Sequence, residues 1–155
     1  MRMRTINAVT DIAATPLRVW EILADFASYP QWAAYIQEVG GPAEVGSKVR
    51  VVLGPPDRRP YVVYCPVLEA TPGARLAWAA VIPGAAWLPH VIYTGTHEFV
   101  LTELPDGTTR VTHREYFKGL LGRLTKGGPA GGDEGFEAFN HALKRRVETG
   151  AGPKI

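Results

Sequence analysis

The chain predicts an α+β domain: a curved antiparallel sheet of about seven strands wrapped on one long C-terminal helix, with an internal cavity between them. Three observations carry this expectation. The apolar pattern starts as a strand, turns helical, runs at period two through the middle, and becomes helical again at the end. The last helical stretch is the only one long enough to cover the concave face of such a sheet. Finally, one hairpin places imidazole and carboxylate groups on its apolar side, which a solid greasy core would not accept without partners.

In order along the chain, residues 4 to 12 read as a first strand. Thr15-Pro16 then starts a helix, with Thr15 as N-cap and Pro16 at the first helical position. Val19, Ile22, Leu23 and Phe26 follow at i, i+3, i+4 and i+7 as one amphipathic stripe. Ser28-Tyr29-Pro30 is expected to break that helix, and a second short helix is expected over Gln31-Trp32-Ala33-Ala34-Tyr35. Gly40-Gly41-Pro42 is a turn. Val49, Val51 and Leu53 alternate with Lys48, Arg50 and Val52 as a strand, closed by Gly54-Pro55-Pro56-Asp57. Tyr61 to Ala70 forms the next strand, and Thr71-Pro72-Gly73 turns into another over Arg75 to Val81. An apolar loop, Ile82 to Pro89, precedes a strand from Val91 to Leu104.

The hairpin pairs Thr96 to Leu101 with Val111 to Phe117 around Pro105-Asp106-Gly107. Side chains alternate, so His97 shares a face with Phe99 and Leu101, and His113 and Glu115 share one with Val111 and Phe117. A five-residue turn over 104 to 108 sets His97 across from Glu115 and His113 across from Phe99, about 5 Å apart at Cβ. A flexible, glycine-rich stretch is expected between Lys126 and Gly135, and its part from Lys126 to Gly132 reads as a hinge or gate. The last helix is expected from about Phe136 to Glu148, with Phe136, Phe139, Asn140, Leu143 and Val147 on one face. Residues 1–150 thus form one domain, and residues 151–155 are expected to be a loose tail.

Bulk properties narrow the function classes. With 155 residues, 46% apolar and 21% charged, the chain fits one globular domain burying roughly 70% of its unfolded surface. A net charge of +2 without a basic stripe leaves no electrostatic footprint for nucleic acid. No run approaches the roughly 20 apolar residues of a membrane span, and the first residues lack the apolar core of a signal peptide. One cysteine, Cys65, permits no internal disulfide and fits a reducing compartment, so the cytoplasm is the expected location.

The residues Ala14-Thr15-Pro16 through Val19-Trp20, and Leu23-Ala24-Asp25-Phe26-Ala27-Ser28-Tyr29-Pro30-Gln31-Trp32, form a pattern over the first quarter. Gly46, Leu76-Ala77-Trp78, Gly95 to Leu101, Thr112 to Gly119, and Gly135-Phe136 to Asn140 extend it. On these residues the chain resembles the START/Bet v 1-like (SRPBCC) superfamily, in particular a bacterial subgroup of polyketide cyclase/dehydrase type. The resemblance implies a helix-grip fold with a hydrophobic ligand cavity. It spans cyclases, dehydratases, hydrolases, lipid carriers and receptors, so it does not name an activity. Two features depart from the pattern. Ala33-Ala34 stand where relatives carry Asn-Pro, and the stretch from Val81 to Thr94 is longer and more aromatic.

Candidate chemistry centres on His97, Glu115 and His113. A carboxylate orienting an imidazole is a general acid or base near neutral pH; the same residues also make a structural ion pair that fixes strand register. Trp32, Tyr35, Tyr64, Trp78, Trp87, Tyr93 and Phe99 are candidate ligand contacts, since small-molecule sites are aromatic walls with few polar tips. Trp87, in the apolar loop beside Pro89 and His90, reads as a lid, and His90 as a candidate at the cavity mouth. Asn140 is expected to be buried, holding either a ligand oxygen or Glu115 or His97. Tyr64 and Cys65 face opposite ways on one strand, and the sequence does not settle which points inward. No cofactor is expected. No metal is expected either, although His97, His113 and Glu115 form a two-histidine, one-carboxylate set.

The expected function is binding of a hydrophobic, aromatic or polyketide-like small molecule, by a monomer or homodimer. Its sharper form is cofactor-free cyclisation or dehydration by general acid/base catalysis. The rivals are a non-catalytic carrier or sensor using the same cavity, and a protein-interaction module of co-chaperone type.

Overall fold

The computed structural model describes residues 4–54, 59–81, 94–118 and 132–150. Strand β1 (Arg4–Ile12) leads to helix α1 (Pro16–Ala24) and a short 3-10 helix (Phe26–Gln31). Strands β2 (Ile36–Gly40), β3 (Lys48–Leu53), β4 (Tyr61–Thr71), β5 (Arg75–Val81), β6 (Thr94–Glu103) and β7 (Thr109–Lys118) follow, and helix α2 (Gly132–Thr149) ends the described chain.

The seven strands form one antiparallel sheet in the order β1-β7-β6-β5-β4-β3-β2. It is curved and not closed, with β1 and β2 at its two edges. Register shifts between Ile36 and Glu38 and between Val67 and Glu69 mark irregularities of the β-bulge kind, and such bulges bend a strand and sharpen its twist. The inner face of the sheet, α1 and α2 enclose a core that includes Ile12, Leu23, Tyr29, Leu76, Phe99 and Leu143.

Thr15 caps α1 as expected, its hydroxyl accepting the Arg18 N–H at 3.3 Å, with Pro16 behind it. Val19 and Leu23 are the buried members of the stripe within α1, and Phe26, just past its end, is buried as well. Replacing Thr15 by Ala leaves that N–H to water and is expected to cost about 1 kcal/mol of stability, measured by urea denaturation; an unchanged midpoint would show that the cap contributes nothing.

Two helical boundaries differ from the sequence reading. Instead of a break at Ser28-Tyr29-Pro30 and a new helix over 31–35, the 3-10 helix runs through Pro30 and stops at Gln31. Tight i to i+3 bonding tolerates this because other groups hold the turn. The Ser28 hydroxyl donates to the Asp25 carbonyl at 2.9 Å, and the Tyr29 hydroxyl reaches back to the Leu23 carbonyl at 2.6 Å. Tyr35 then takes φ +70°, and its carbonyl accepts the Gly54 N–H at 2.9 Å. The chain thereby enters β2, a strand the sequence reading did not assign. At the other end α2 begins at Gly132, ahead of the expected Phe136. Each glycine in a helix costs up to about 1 kcal/mol, but Phe136, 2% exposed, is docked, and that packing carries the helix back through Gly135.

Candidate functional site

The site is built on the hairpin of β6 and β7. Asp106 accepts the Thr108 N–H at 3.0 Å, and Gly107 takes φ +82°, a left-handed conformation suited to glycine. This turn fixes the register, which sets His97 opposite Glu115 and Phe99 opposite His113. Both expected pairings are present.

Their side chains form a continuous chain of polar contacts. Glu115 Oε1 lies 3.3 Å from His97 Nε2, and His97 Nδ1 lies 3.4 Å from His113 Nε2. His113 Nδ1 lies 3.2 Å from Asn140 Oδ1, and the Asn140 amide donates to the Ala8 carbonyl at 3.3 Å. Asn140 is buried as expected, but its ring partner is His113, where the sequence reading offered Glu115 or His97. The reason is register: α2 lies along β1, and β1 places Ala8 beside His113.

Burial dominates the electrostatics of both rings. It pushes His97 down from 6.5 to about 4. His113 is driven well below 6.5 by burial first and by the neighbouring His97 second, with the Asn140 contact pulling weakly the other way. With His97 neutral, its 3.3 Å contact with Glu115 is not a pairing of two full charges. Poising near neutrality, expected for a general acid or base, is therefore not what this geometry produces.

A pocket of about 180 Å³ lies beside these rings, comparable to the ~150 Å³ apolar cavities that hold a benzene ring. Val49, Val51, Leu53, Val63 and Cys65 supply its wall from β3 and β4. Trp78 and Phe99 come from β5 and β6, Phe26 and Tyr29 from the 3-10 helix, and Phe136 and Phe139 from α2. His97 and His113 complete the wall. Phe99 stacks on His113 with centroids 4.0 Å apart, and Phe136 packs against the same imidazole, tilted, at 4.3 Å.

The sequence-predicted residues divide clearly. His97, His113, Phe99, Trp78 and Tyr35 line the pocket, Tyr35 at its mouth with 58% of its surface exposed. Four expected site residues are not on the wall. Trp32 is 1% exposed and buried in the core, where its ring N–H donates to the Ser28 hydroxyl at 3.3 Å. Tyr64 is 41% exposed on the outer face of β4, so Cys65 is the inward member of that pair. Asn140 and Glu115 sit behind the two imidazoles. Trp87, His90 and Tyr93, with the expected lid and the 126–131 part of the glycine-rich stretch, lie outside the described residues.

Several wall residues were not proposed from sequence. Phe136 and Phe139 stood on the expected helix stripe, and Phe26 on that of α1; period alone does not separate core from cavity wall. Val63, Cys65 and Val67 alternate around Tyr64 and Pro66, the signal that identifies the inward face of β4. Burial pushes the Cys65 thiol up to about 12, so it stays protonated and unreactive. Among the described residues, no group of three or more His, Cys, Asp or Glu is arranged to hold a metal ion. No helix among them is long and apolar enough to cross a membrane.

Known structures share this architecture. Protein MLL2253 from Mesorhizobium loti is 20% identical, aligned over 92% of this chain and 95% of its own, with a TM-score of 0.70. A START superfamily protein from Mycobacterium smegmatis is 17% identical over 93% of this chain and 97% of its own, with a TM-score of 0.67. DynU16, described as a putative protein in the dynemicin biosynthetic locus, is 21% identical over 95% of this chain but 48% of its own, with a TM-score of 0.69. At such identities these likenesses show the fold. No curated protein matches the chain at a significant level. The family model described as polyketide cyclase/dehydrase and lipid transport matches residues 3–148, nearly the whole sheet and α2, and the chain belongs to that family.

Proposed function

We propose that the protein binds a flat, hydrophobic small molecule, aromatic or polyketide-like, in the pocket between sheet and α2, as a carrier or sensor. One observation carries this reading: all four ring nitrogens of His97 and His113 are engaged with Glu115, with each other or with Asn140. The imidazoles therefore present ring faces and C–H edges to an apolar wall, which favours burial of a greasy surface. The family's description embraces transport as well as catalysis.

Cofactor-free cyclisation or dehydration is the second reading, and one feature favours it. The His97–His113 contact, at 3.4 Å, is the longest in the chain of contacts, so a polar substrate atom can compete for it. There His97 moves the proton, Glu115 orients His97, and Trp78 and Tyr35 shape the substrate. In that case His97→Phe retains binding and abolishes turnover.

The test of binding uses 2-naphthol as probe. A free concentration ten to a hundred times Kd is expected to stabilise the wild type by about 1 to 3 kcal/mol. Val63→Phe, which projects a ring into the pocket, is expected to remove that stabilisation while the variant still unfolds cooperatively. Equal stabilisation of both proteins would place the probe elsewhere and overturn the reading.

A further inference from the structure

The pocket has one shut end and one open end. At the shut end Phe99, Phe136 and His113 are buried, and the Tyr29 hydroxyl donates to the Leu23 carbonyl at 2.6 Å. The two imidazoles turn their nitrogens to one another, to Asn140 and to Glu115. At the open end stand Tyr35, 58% exposed, and Tyr61, 38% exposed, and both line the pocket. Sheet register sets Ile36 of β2, Leu53 of β3 and Tyr61 of β4 in one row, and all three line the pocket. Strand alternation would turn Tyr35, one residue before Ile36, to the opposite face. It lines the pocket as well, because its φ of +70° reverses the chain there. Among the described residues it is the one non-glycine with positive φ, and a bulky side chain in that conformation is strained. The Tyr35 carbonyl accepts the Gly54 N–H at 2.9 Å, the Gln37 amide donates to the Gly54 carbonyl at 3.0 Å, and strand pairing slips between Ile36 and Glu38. These bonds ask nothing of the Tyr35 side chain and would form around a glycine, which carries no such strain. The tyrosine therefore brings something that its backbone role does not require.

We propose that Tyr35 is the recognition residue of the pocket, and that the ligand is an aromatic compound with one hydrogen-bonding oxygen, taken up ring first, with that oxygen left at the rim beside the Tyr35 hydroxyl. This rests on the binding role proposed above and adds the ligand's polarity and its direction. A ligand oxygen carried to the shut end would lose water and gain no partner, which is costly. At the rim it keeps water on one side and meets a phenol hydroxyl, which both donates and accepts. Tyr61 supplies a second hydroxyl from β4. Burial raises its phenol above the ordinary value, so it is a neutral donor at pH 7. The two tyrosines stand on the two sides of the β3 end, Tyr35 bonded to Gly54 and Tyr61 opposite Leu53. Strain at Tyr35 is thus what turns an aromatic side chain into the mouth, where alternation alone would have sent it away.

The test measures the affinity of the full chain at pH 7 for 2-naphthol and for naphthalene, which differ only in the oxygen. In Tyr35→Phe the ratio of the two affinities is expected to fall about fivefold, the size of one net hydrogen bond. A ratio equal to that of the wild type overturns the proposal while leaving the pocket a binding site for greasy rings. Failure of both probes to bind the wild type overturns the binding role and this inference together. Urea denaturation without ligand tests the backbone argument separately. Tyr35→Gly is expected to unfold at a higher midpoint than Tyr35→Ala, the reverse of the order in ordinary backbone. Both variants lose the ring, and only the alanine keeps the strain. An alanine variant more stable than the glycine variant would show that Tyr35 is not held in the left-handed region, and the proposal would fall with it.

Discussion

Phe99→Ala is expected to destabilise the protein by about 3 to 5 kcal/mol, the range for removing a buried aromatic ring. Phe99 is fully buried. Its ring meets His113 at 4.0 Å, Trp78 at 5.2 Å and Phe139 at 5.5 Å between centroids. It thus joins β5, β7 and α2 from the middle of β6. The upper end of the range is expected because the void opens into the existing pocket, and walls already held apart by strand register cannot collapse to fill it. Loss of the ring also uncovers one face of a buried imidazole. Urea denaturation reads the loss directly, and a change below about 1 kcal/mol would mean that the hairpin is not the keystone of this core.

Acid is the second strong lever. The folded protein holds His97 near 4 and His113 well below 6.5, whereas the unfolded chain leaves them near 6.5. Above pH 6.5 neither state protonates them, and no penalty exists. As pH falls below 6.5 the unfolded chain takes up protons that the folded one refuses, so stability falls. For His97 the loss continues until about pH 4, which at 1.36 kcal/mol per pH unit amounts to roughly 3 kcal/mol. His113 acts in the same direction. The net expectation is a fall in stability across the window from pH 6.5 to about 4. Asp11 and Glu148, held down by Arg110 and Lys144, lose their contributions only at lower pH and do not blur this window. Stability measured across it by denaturant titration should fall; a flat profile would mean that the rings are protonated or solvated in the folded state.

Much of this site was legible because strands and turns obey short-range rules. Pro105-Asp106-Gly107 set the loop length, alternation set the faces, and the two together placed His97 against Glu115 and Phe99 against His113. The α1 cap was equally local. What was not legible depends on partners distant in sequence. Glu98, 4% exposed, stands on the outer face by alternation, yet Arg75 of β5 and Arg114 and Tyr116 of β7 cover it. Trp32 and Tyr64 show that an aromatic side chain carries no label for wall, core or surface. Pairing Asn140 with His113 needed the path of α2 along β1, which no local pattern encodes. Proline rules failed at Pro30 because the hydroxyls of Ser28 and Tyr29 tie the turn to the end of α1.

Methyl and aromatic NMR with 2-naphthol offers the most direct measurement of whether the space between sheet and helix is the binding site. Shift changes saturating at one probe per chain and centred on Val51, Val63 and Phe99 are expected. Changes confined to Val45 and Leu68, which are exposed away from the pocket, or no saturable change at all, would contradict the account.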